Sequence, residues 1–103
     1  MTNKEKAQMI QDVIDHPGRE RTYYSLLEDL GDIKSNYADY MTTEPINCNE
    51  ELQRVANADY ELCTALLTAI LREDHFSNGS FERRQRAGQV DEILKRMVAE
   101  LNK

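Results

Sequence analysis

The sequence predicts an all-α protein, a compact bundle of four to five helices around a central apolar helix. Only four Gly and two Pro occur in 103 residues, too few for a protein built from many short strands. Apolar residues recur at three- and four-residue spacing in several segments, as they do on one face of a helix. The segment LCTALLTAIL (62–71) is apolar almost all round, so other elements must cover it on most sides. The length predicts one domain, residues 1–103.

The first helix is predicted over residues 3–15. Thr2 and Glu5 have the spacing of a capping box, in which a hydroxyl caps the first turn and a carboxylate reaches back to it. An apolar stripe follows at helical spacing: Ala7, Ile10, Val13 and Ile14. Pro17 disfavours a helical conformation at the residue before it and ends the element.

A second periodic run begins at Glu20 and continues in phase across Gly31 to Met41. We therefore predict one long helix that is kinked or frayed beyond Gly31, where glycine costs about 1 kcal/mol relative to alanine. Four of the five tyrosines lie in this run: Tyr23, Tyr24, Tyr37 and Tyr40. Such a row is either a binding face or the rim of a core whose hydroxyl groups reach water.

The linker TTEPINCN (42–49) separates this run from the central helix. Pro45 blocks continuation, and Asn47 is placed to cap a segment that starts near Glu50. The apolar pattern then runs to Leu71, and residues 57–59 are either a bend or a new helix start.

The chain after the central helix is predicted to form a short helix and a long amphipathic one. Ser80 is a candidate cap for a short helix over residues 81–87, and Gly88 is its stop. The C-terminal helix carries the clearest apolar stripe in the chain: Val90, Ile93, Leu94, Met97, Val98 and Leu101.

The corner REDHFSNGSF (72–81) is predicted to be a connection between helices. Asn78-Gly79 readily adopts the positive φ angles of a tight turn, and Phe76 and Phe81 are expected to hold that turn on the core. Arg72 and His75 lie near the end of the central helix, where a cation faces the negative end of the helix dipole.

An alternative interpretation makes Arg72, Asp74 and His75 a polar corner that works as an enzyme or ligand-binding site. Adjacent residues on a helix point about 100° apart, so Asp74 and His75 do not easily converge on one atom. No accompanying catalytic motif occurs in the chain, and no catalytic residue is assigned.

The segment LLTAILREDHFSNGSFERRQRAGQVDEILKRM (66–97) resembles the C-terminal part of a family of small bacterial and mobile-element proteins classed only as a domain of unknown function. The positions that carry the resemblance are Leu66, Leu67, Thr68, Arg72, His75, Phe76, Gly79 and Leu94. It covers about a third of the chain, and it implies a shared helical core without an activity.

The charge distribution disfavours general nucleic-acid binding. The net charge is −6, and residues 1–62 hold six Lys and Arg against thirteen Asp and Glu. Such an acidic half repels phosphates and would suit a basic partner, or simply keep the protein soluble. A basic cluster at Arg83, Arg84 and Arg86 invites a helix-turn-helix interpretation, but Asp91 and Glu92 would then meet DNA phosphates. We expect these arginines to pair with acidic residues of this chain or of a neighbouring subunit.

No metal site or cofactor is predicted, because Cys48 and Cys63 form no CxxC motif and His16 and His75 lie far apart. Cys63 falls on the apolar stripe and is expected in the core, whereas Cys48 in the polar linker is expected to be exposed. No apolar run approaches 18 residues, so we expect a cytoplasmic protein without a membrane contact.

The leading functional hypothesis is a protein interaction module or regulator, which binds another protein or forms a homodimer. A special case is an inhibitor from a phage or mobile element that imitates nucleic acid and occupies a basic nucleic-acid enzyme. The alternative is the small enzyme or ligand-binding protein that uses Arg72, Asp74 and His75. The tyrosines and the three arginines together make the candidate interaction surface.

Overall fold

The computed structural model describes residues 1–103, and its regular structure is entirely helical. Six α-helices follow one another: α1 (Asn3–Asp15), α2 (Glu20–Leu30), α3 (Cys48–Glu51), α4 (Tyr60–Phe76), α5 (Ser80–Arg86) and α6 (Gln89–Leu101). Two 3₁₀ segments lie between α2 and α4, at Tyr37–Tyr40 and Leu52–Asn57. The predicted all-α class is confirmed.

Helix α1 has the predicted bounds and the predicted capping box. The Thr2 side chain accepts a hydrogen bond from the Glu5 amide at 3.1 Å, and the Thr2 amide donates to the Glu5 carboxylate at 3.0 Å. The helix packs against α6 and α2 through the buried side chains of Ala7 and Ile10. Local sequence signals and packing therefore agree in this helix.

Helix α2 ends at Leu30, so the prediction of one long helix through Met41 is wrong. Gly31 adopts a left-handed conformation with φ 74°, and its amide and that of Asp32 bond back to the last turn of α2. The reversal is then held by long-range contacts, because Asp32 pairs with Lys6 at 3.0 Å and accepts a hydrogen bond from Tyr60 at 2.6 Å.

The central helix starts afresh at the ambiguous break, because the Asp59 side chain accepts a hydrogen bond from the Leu62 amide at 2.8 Å and caps α4. The nine consecutive residues 63–71 are buried, as expected for a helix covered on most sides. The predicted role of segment 62–71 is confirmed. The predicted stripe of α6 also packs on the core, since Val90, Ile93, Leu94, Met97 and Leu101 are buried and Val98 partly so.

At the corner after α4 the structure differs from two predictions. Gly79, not Ser80, occupies the position before α5, and Ser80 is the first helical residue. Phe81 is fully buried with its ring 5.2 Å from that of Tyr23, but Phe76 is 92% exposed. Phe76 is the last residue of α4, and its ring is exposed to solvent instead of holding the turn on the core.

None of the helices combines the length and the apolar character that crossing a membrane requires.

Candidate functional site

The three residues of the proposed polar corner have separate partners. Asp74 accepts hydrogen bonds from the Gly79 and Phe81 amides, both at 3.1 Å, and so holds the turn into α5. His75 Nε2 lies 3.1 Å from the Tyr24 hydroxyl. Arg72 is exposed and forms neither a hydrogen bond nor an ion pair. The carboxylate is therefore committed to the backbone, and only His75 is in hydrogen-bond contact with a tyrosine.

The tyrosines do not form one continuous row, because the chain breaks at Gly31. Tyr23 is fully buried, and its hydroxyl accepts a hydrogen bond from Gln85 at 3.0 Å. Tyr24 is half-buried, and desolvation raises its pKa although the Arg72 charge opposes this. Tyr37 and Tyr40 lie on the separate 3₁₀ segment and are half-buried.

The basic cluster is largely neutralised within the chain. Arg84 binds Glu73 with two hydrogen bonds, Nε to Oε1 at 2.7 Å and Nη2 to Oε2 at 2.9 Å. This pairing lowers the pKa of Glu73 and raises that of Arg84. Arg86 pairs with Glu82 on the surface of α5. The predicted pairing with acidic residues of the same chain is observed for these two arginines, while Arg83 has only a 3.4 Å contact to the Ser77 hydroxyl.

A partly apolar groove opens beside the last two turns of α4. Its volume is about 210 Å³, and its walls include Tyr37, Ile46, Cys48, Ala69, Arg72 and Phe76. We call it the Phe76 groove. Phe76 and Ile46 are two of only four large apolar side chains that the chain exposes. Both line this groove, so a large share of the exposed apolar surface is concentrated at one place.

One wall of the groove depends on a buried carboxylate that no sequence motif singles out. Glu51 is 1% exposed and accepts hydrogen bonds from the Thr42 amide at 2.9 Å, the Thr43 amide at 2.8 Å and Arg54 at 2.8 Å. The Thr42 and Thr43 hydroxyls also donate to it. It thereby fixes the linker that carries Ile46.

Burial opposes the ionisation of Glu51, but the bonds from Thr43, Arg54 and Thr42 prevail and lower its pKa to about 2. Nothing in the sequence distinguishes Glu51 from its neighbour Glu50, which is exposed. Arg54 pairs with Glu51 at 2.8 Å, but its spacing along the helix would suit Glu50 as well, so the sequence does not show which glutamate it binds.

Cys48 is buried, contrary to the expectation that it is exposed. The Asn47 side chain accepts a hydrogen bond from the Glu50 amide at 3.1 Å, and this cap starts α3 at Cys48 and turns its side chain inward. Burial raises the pKa of Cys48 to about 11, with a further contribution from the Glu73 charge. Cys63 is in the core as predicted, and burial raises its pKa to about 12. Both residues are free thiols, and no cluster of three potential metal ligands is present.

Comparison with known proteins places the chain in one family. No curated protein and no solved structure is significantly similar to it. A family model described as a family of unknown function (DUF6508) matches residues 2–103, which is nearly the whole chain. The resemblance of residues 66–97 agrees with such a family, and the match extends over the N-terminal half as well. The chain belongs to this family of unknown function.

Proposed function

We propose that this protein is a protein-binding module, and that the Phe76 groove receives an apolar side chain of a partner protein beside a carboxylate that pairs with Arg72. The observation that carries the proposal is the exposure of Phe76, at 92%, next to a groove with an exposed isoleucine. A protein partner that covers this ring would gain roughly 1.5–3 kcal/mol from its burial.

A single exposed apolar residue is ordinary, but the arrangement around Phe76 is concave and includes Ile46 and Tyr37. Residues that anchor protein interfaces are typically aromatic side chains and arginines that lie close together. The groove combines Phe76, Tyr37 and Arg72 in this way. These side chains support a role in binding protein rather than packing alone.

The local charge selects the kind of partner. Arg72 has no counterion, and the other charged residue of the groove, Glu73, is neutralised by Arg84. The groove is therefore locally positive although the whole chain carries a net charge of −6. A partner segment with an acidic side chain near an apolar one fits it, because opposite charges set orientation and suppress wrong partners. A basic partner would have to use the acidic surface of the N-terminal half, and that hypothesis stays a prediction.

The groove is also held rigid from two sides. Glu51 fixes the linker that carries Ile46, and the Glu73–Arg84 pair fixes the neighbouring turn of α4. A preformed site loses less conformational entropy when it binds, so more of the contact energy appears as affinity.

The test uses photo-crosslinking in the native host. A benzophenone amino acid is placed at position 76, and, as a matched control, at Ile33, which is 41% exposed and does not line the groove. The crosslinked protein is identified by mass spectrometry and purified. Its affinity is then measured by calorimetry for the wild-type chain, Phe76→Ser and Arg72→Gln.

We expect one partner to crosslink at position 76 and not at position 33. Loss of the ring should weaken binding about tenfold or more, since 1.4 kcal/mol corresponds to a factor of ten. Equal crosslinking at both positions, or unchanged affinity in Phe76→Ser, would overturn the proposal. A crosslink to a second copy alone would also overturn it and would make the groove a homodimer surface.

A further inference from the structure

A second cavity lies on the other side of the Glu73 turn. Its volume is about 380 Å³, and none of its lining residues is apolar. Its walls are Asn49, Ser77, Ser80, Arg83, Arg84 and Gln89, together with Glu73. We call it the Arg83 pocket. Small-molecule pockets are mostly lined by apolar residues, so a cavity without any suits only a hydrophilic ligand.

Arg84 contacts the oxygens of the two side-chain amides in the pocket, so the NH₂ groups of these amides remain without an acceptor. Its Nη1 donates to the Asn49 Oδ1 at 2.9 Å and to the Gln89 Oε1 at 3.2 Å. Because a guanidinium can only donate, these contacts require the oxygen of each amide to face Arg84. The NH₂ groups of Asn49 and Gln89 have no hydrogen-bond partner in the structure.

The second arginine and the two hydroxyl groups of the pocket have only weak contacts within the chain. Ser80 is 5% exposed, and its Oγ has no hydrogen bond of good geometry; it lies beside Glu73, whose pKa it helps to lower. Buried polar atoms without a partner are rare in folded proteins. Arg83 is exposed, and its guanidinium makes only the 3.4 Å contact to Ser77.

The carboxylate of the pocket, by contrast, already has a partner within the chain. Glu73 is its one carboxylate, and Arg84 binds both oxygens of that group. Arg83, Arg84 and Glu73 together leave one net positive charge. The pocket thus offers a guanidinium, two amide NH₂ groups and two hydroxyls, while its one carboxylate is already paired with Arg84.

We propose that the Arg83 pocket binds a small oxyanion, a phosphate or carboxylate group. An anion of this kind accepts several charge-assisted hydrogen bonds at once. It would therefore supply the acceptor that the N–H and O–H groups of the pocket lack. The proposal does not depend on the Phe76 groove, because the two cavities share only Glu73 and Ser77 and use different cations.

The test is a titration followed by NMR of the full chain at pH 7 and constant ionic strength. Inorganic phosphate and acetate are added in separate experiments, with sodium chloride as the reference. The signals observed are the side-chain NH₂ groups of Asn49 and Gln89 and the Arg83 Nε–H. Arg83→Gln and Ser80→Ala are compared with Arg86→Gln, a matched control whose arginine pairs with Glu82 and does not line the pocket.

We expect saturable shifts of these signals with millimolar affinity for phosphate or acetate, and the better of the two identifies the anion class. Arg83→Gln should weaken binding at least fivefold, whereas Arg86→Gln should leave it unchanged. Ser80→Ala should weaken binding less, since it removes one neutral donor. Shifts that never saturate, or an equal loss in Arg83→Gln and Arg86→Gln, would overturn the proposal.

Discussion

Replacing Glu51 with glutamine should destabilise the fold more than the same change at any exposed glutamate. The carboxylate is 1% exposed and accepts bonds from two backbone amides, two hydroxyls and Arg54. Glutamine removes the charge and turns an NH₂ group toward backbone donors. A buried donor that loses its acceptor costs about 1–3 kcal/mol.

The pKa of Glu51 gives a second estimate of the stability that Glu51→Gln removes. Its ordinary value of 4.5 falls to about 2 in the folded chain. At about 1.4 kcal/mol per pKa unit, this corresponds to roughly 3–4 kcal/mol in favour of the ionised, folded form. Together with the range of about 1–3 kcal/mol for a buried donor that loses its acceptor, we expect a loss of about 2 kcal/mol. For a domain near 100 residues, that lowers the Tm by roughly 8–16 °C.

The sign of the pH dependence follows from the lowered pKa. The stabilisation is fully present above the unfolded pKa of 4.5 and is lost as the pH falls toward 2. The difference between wild type and Glu51→Gln should therefore shrink from about 2 kcal/mol at pH 7 to about 1 kcal/mol at pH 3. Asp32 and Glu73, whose pKa values are also lowered, contribute equally to both proteins and cancel in this difference.

Urea unfolding at pH 7 and pH 3 measures the loss of unfolding free energy in Glu51→Gln and its change with pH. Amide exchange at Thr42 and Thr43 reports whether the linker is released. Glu50→Gln is the matched control, because Glu50 is the adjacent residue and its carboxylate is exposed without an ion pair. A loss below about 0.5 kcal/mol in Glu51→Gln at pH 7, or a difference from wild type that does not change with pH, would refute the reasoning.

Two further predictions concern the corner and the thiols. Phe81→Ala should cost about 3–5 kcal/mol in urea unfolding because it empties a core position, while Phe76→Ser should change stability by less than about 0.5 kcal/mol. Equal losses in these two variants would contradict the assignment of one ring to the core and one to the surface. Cys48 and Cys63 should react with Ellman's reagent at pH 8 far more slowly in the native chain than in urea, because burial raises both pKa values. A thiol that is modified within seconds in the native chain would show that this burial is wrong.

Features that depend on neighbours within one helical turn were predictable. The capping box at Thr2, the cap at Asn47 and the stripe of α6 each involve residues at most four positions apart in a repeating pattern. The burial of segment 62–71 was equally predictable, because a segment apolar on all sides leaves no face for water.

The predictions were wrong where contacts between distant residues determine the structure. A glycine inside a periodic run is compatible with a kink or with a stop, and contacts of Asp32 with Lys6 and Tyr60 hold the stop at Gly31. In the candidate site, sequence patterns singled out Arg72 and the arginines of α5, but not the carboxylate that fixes the linker. They also did not show that Asp74 is committed to backbone amides.

The order of residues alone is enough to establish that the chain is helical, where α1 and α6 lie, and that segment 62–71 belongs to the central helix. Caps and helical periodicity act over about four residues, so any reading of the chain displays them directly. Packing in three dimensions selects which of two phenylalanines and which of two adjacent glutamates is buried, and which arginine keeps a free charge. Those outcomes depend on contacts such as Glu73–Arg84 and Tyr23–Phe81, between residues 11 and 58 positions apart. Local sequence patterns do not reveal such a pairing, because each residue fits its own helix equally well whether or not the distant partner is present.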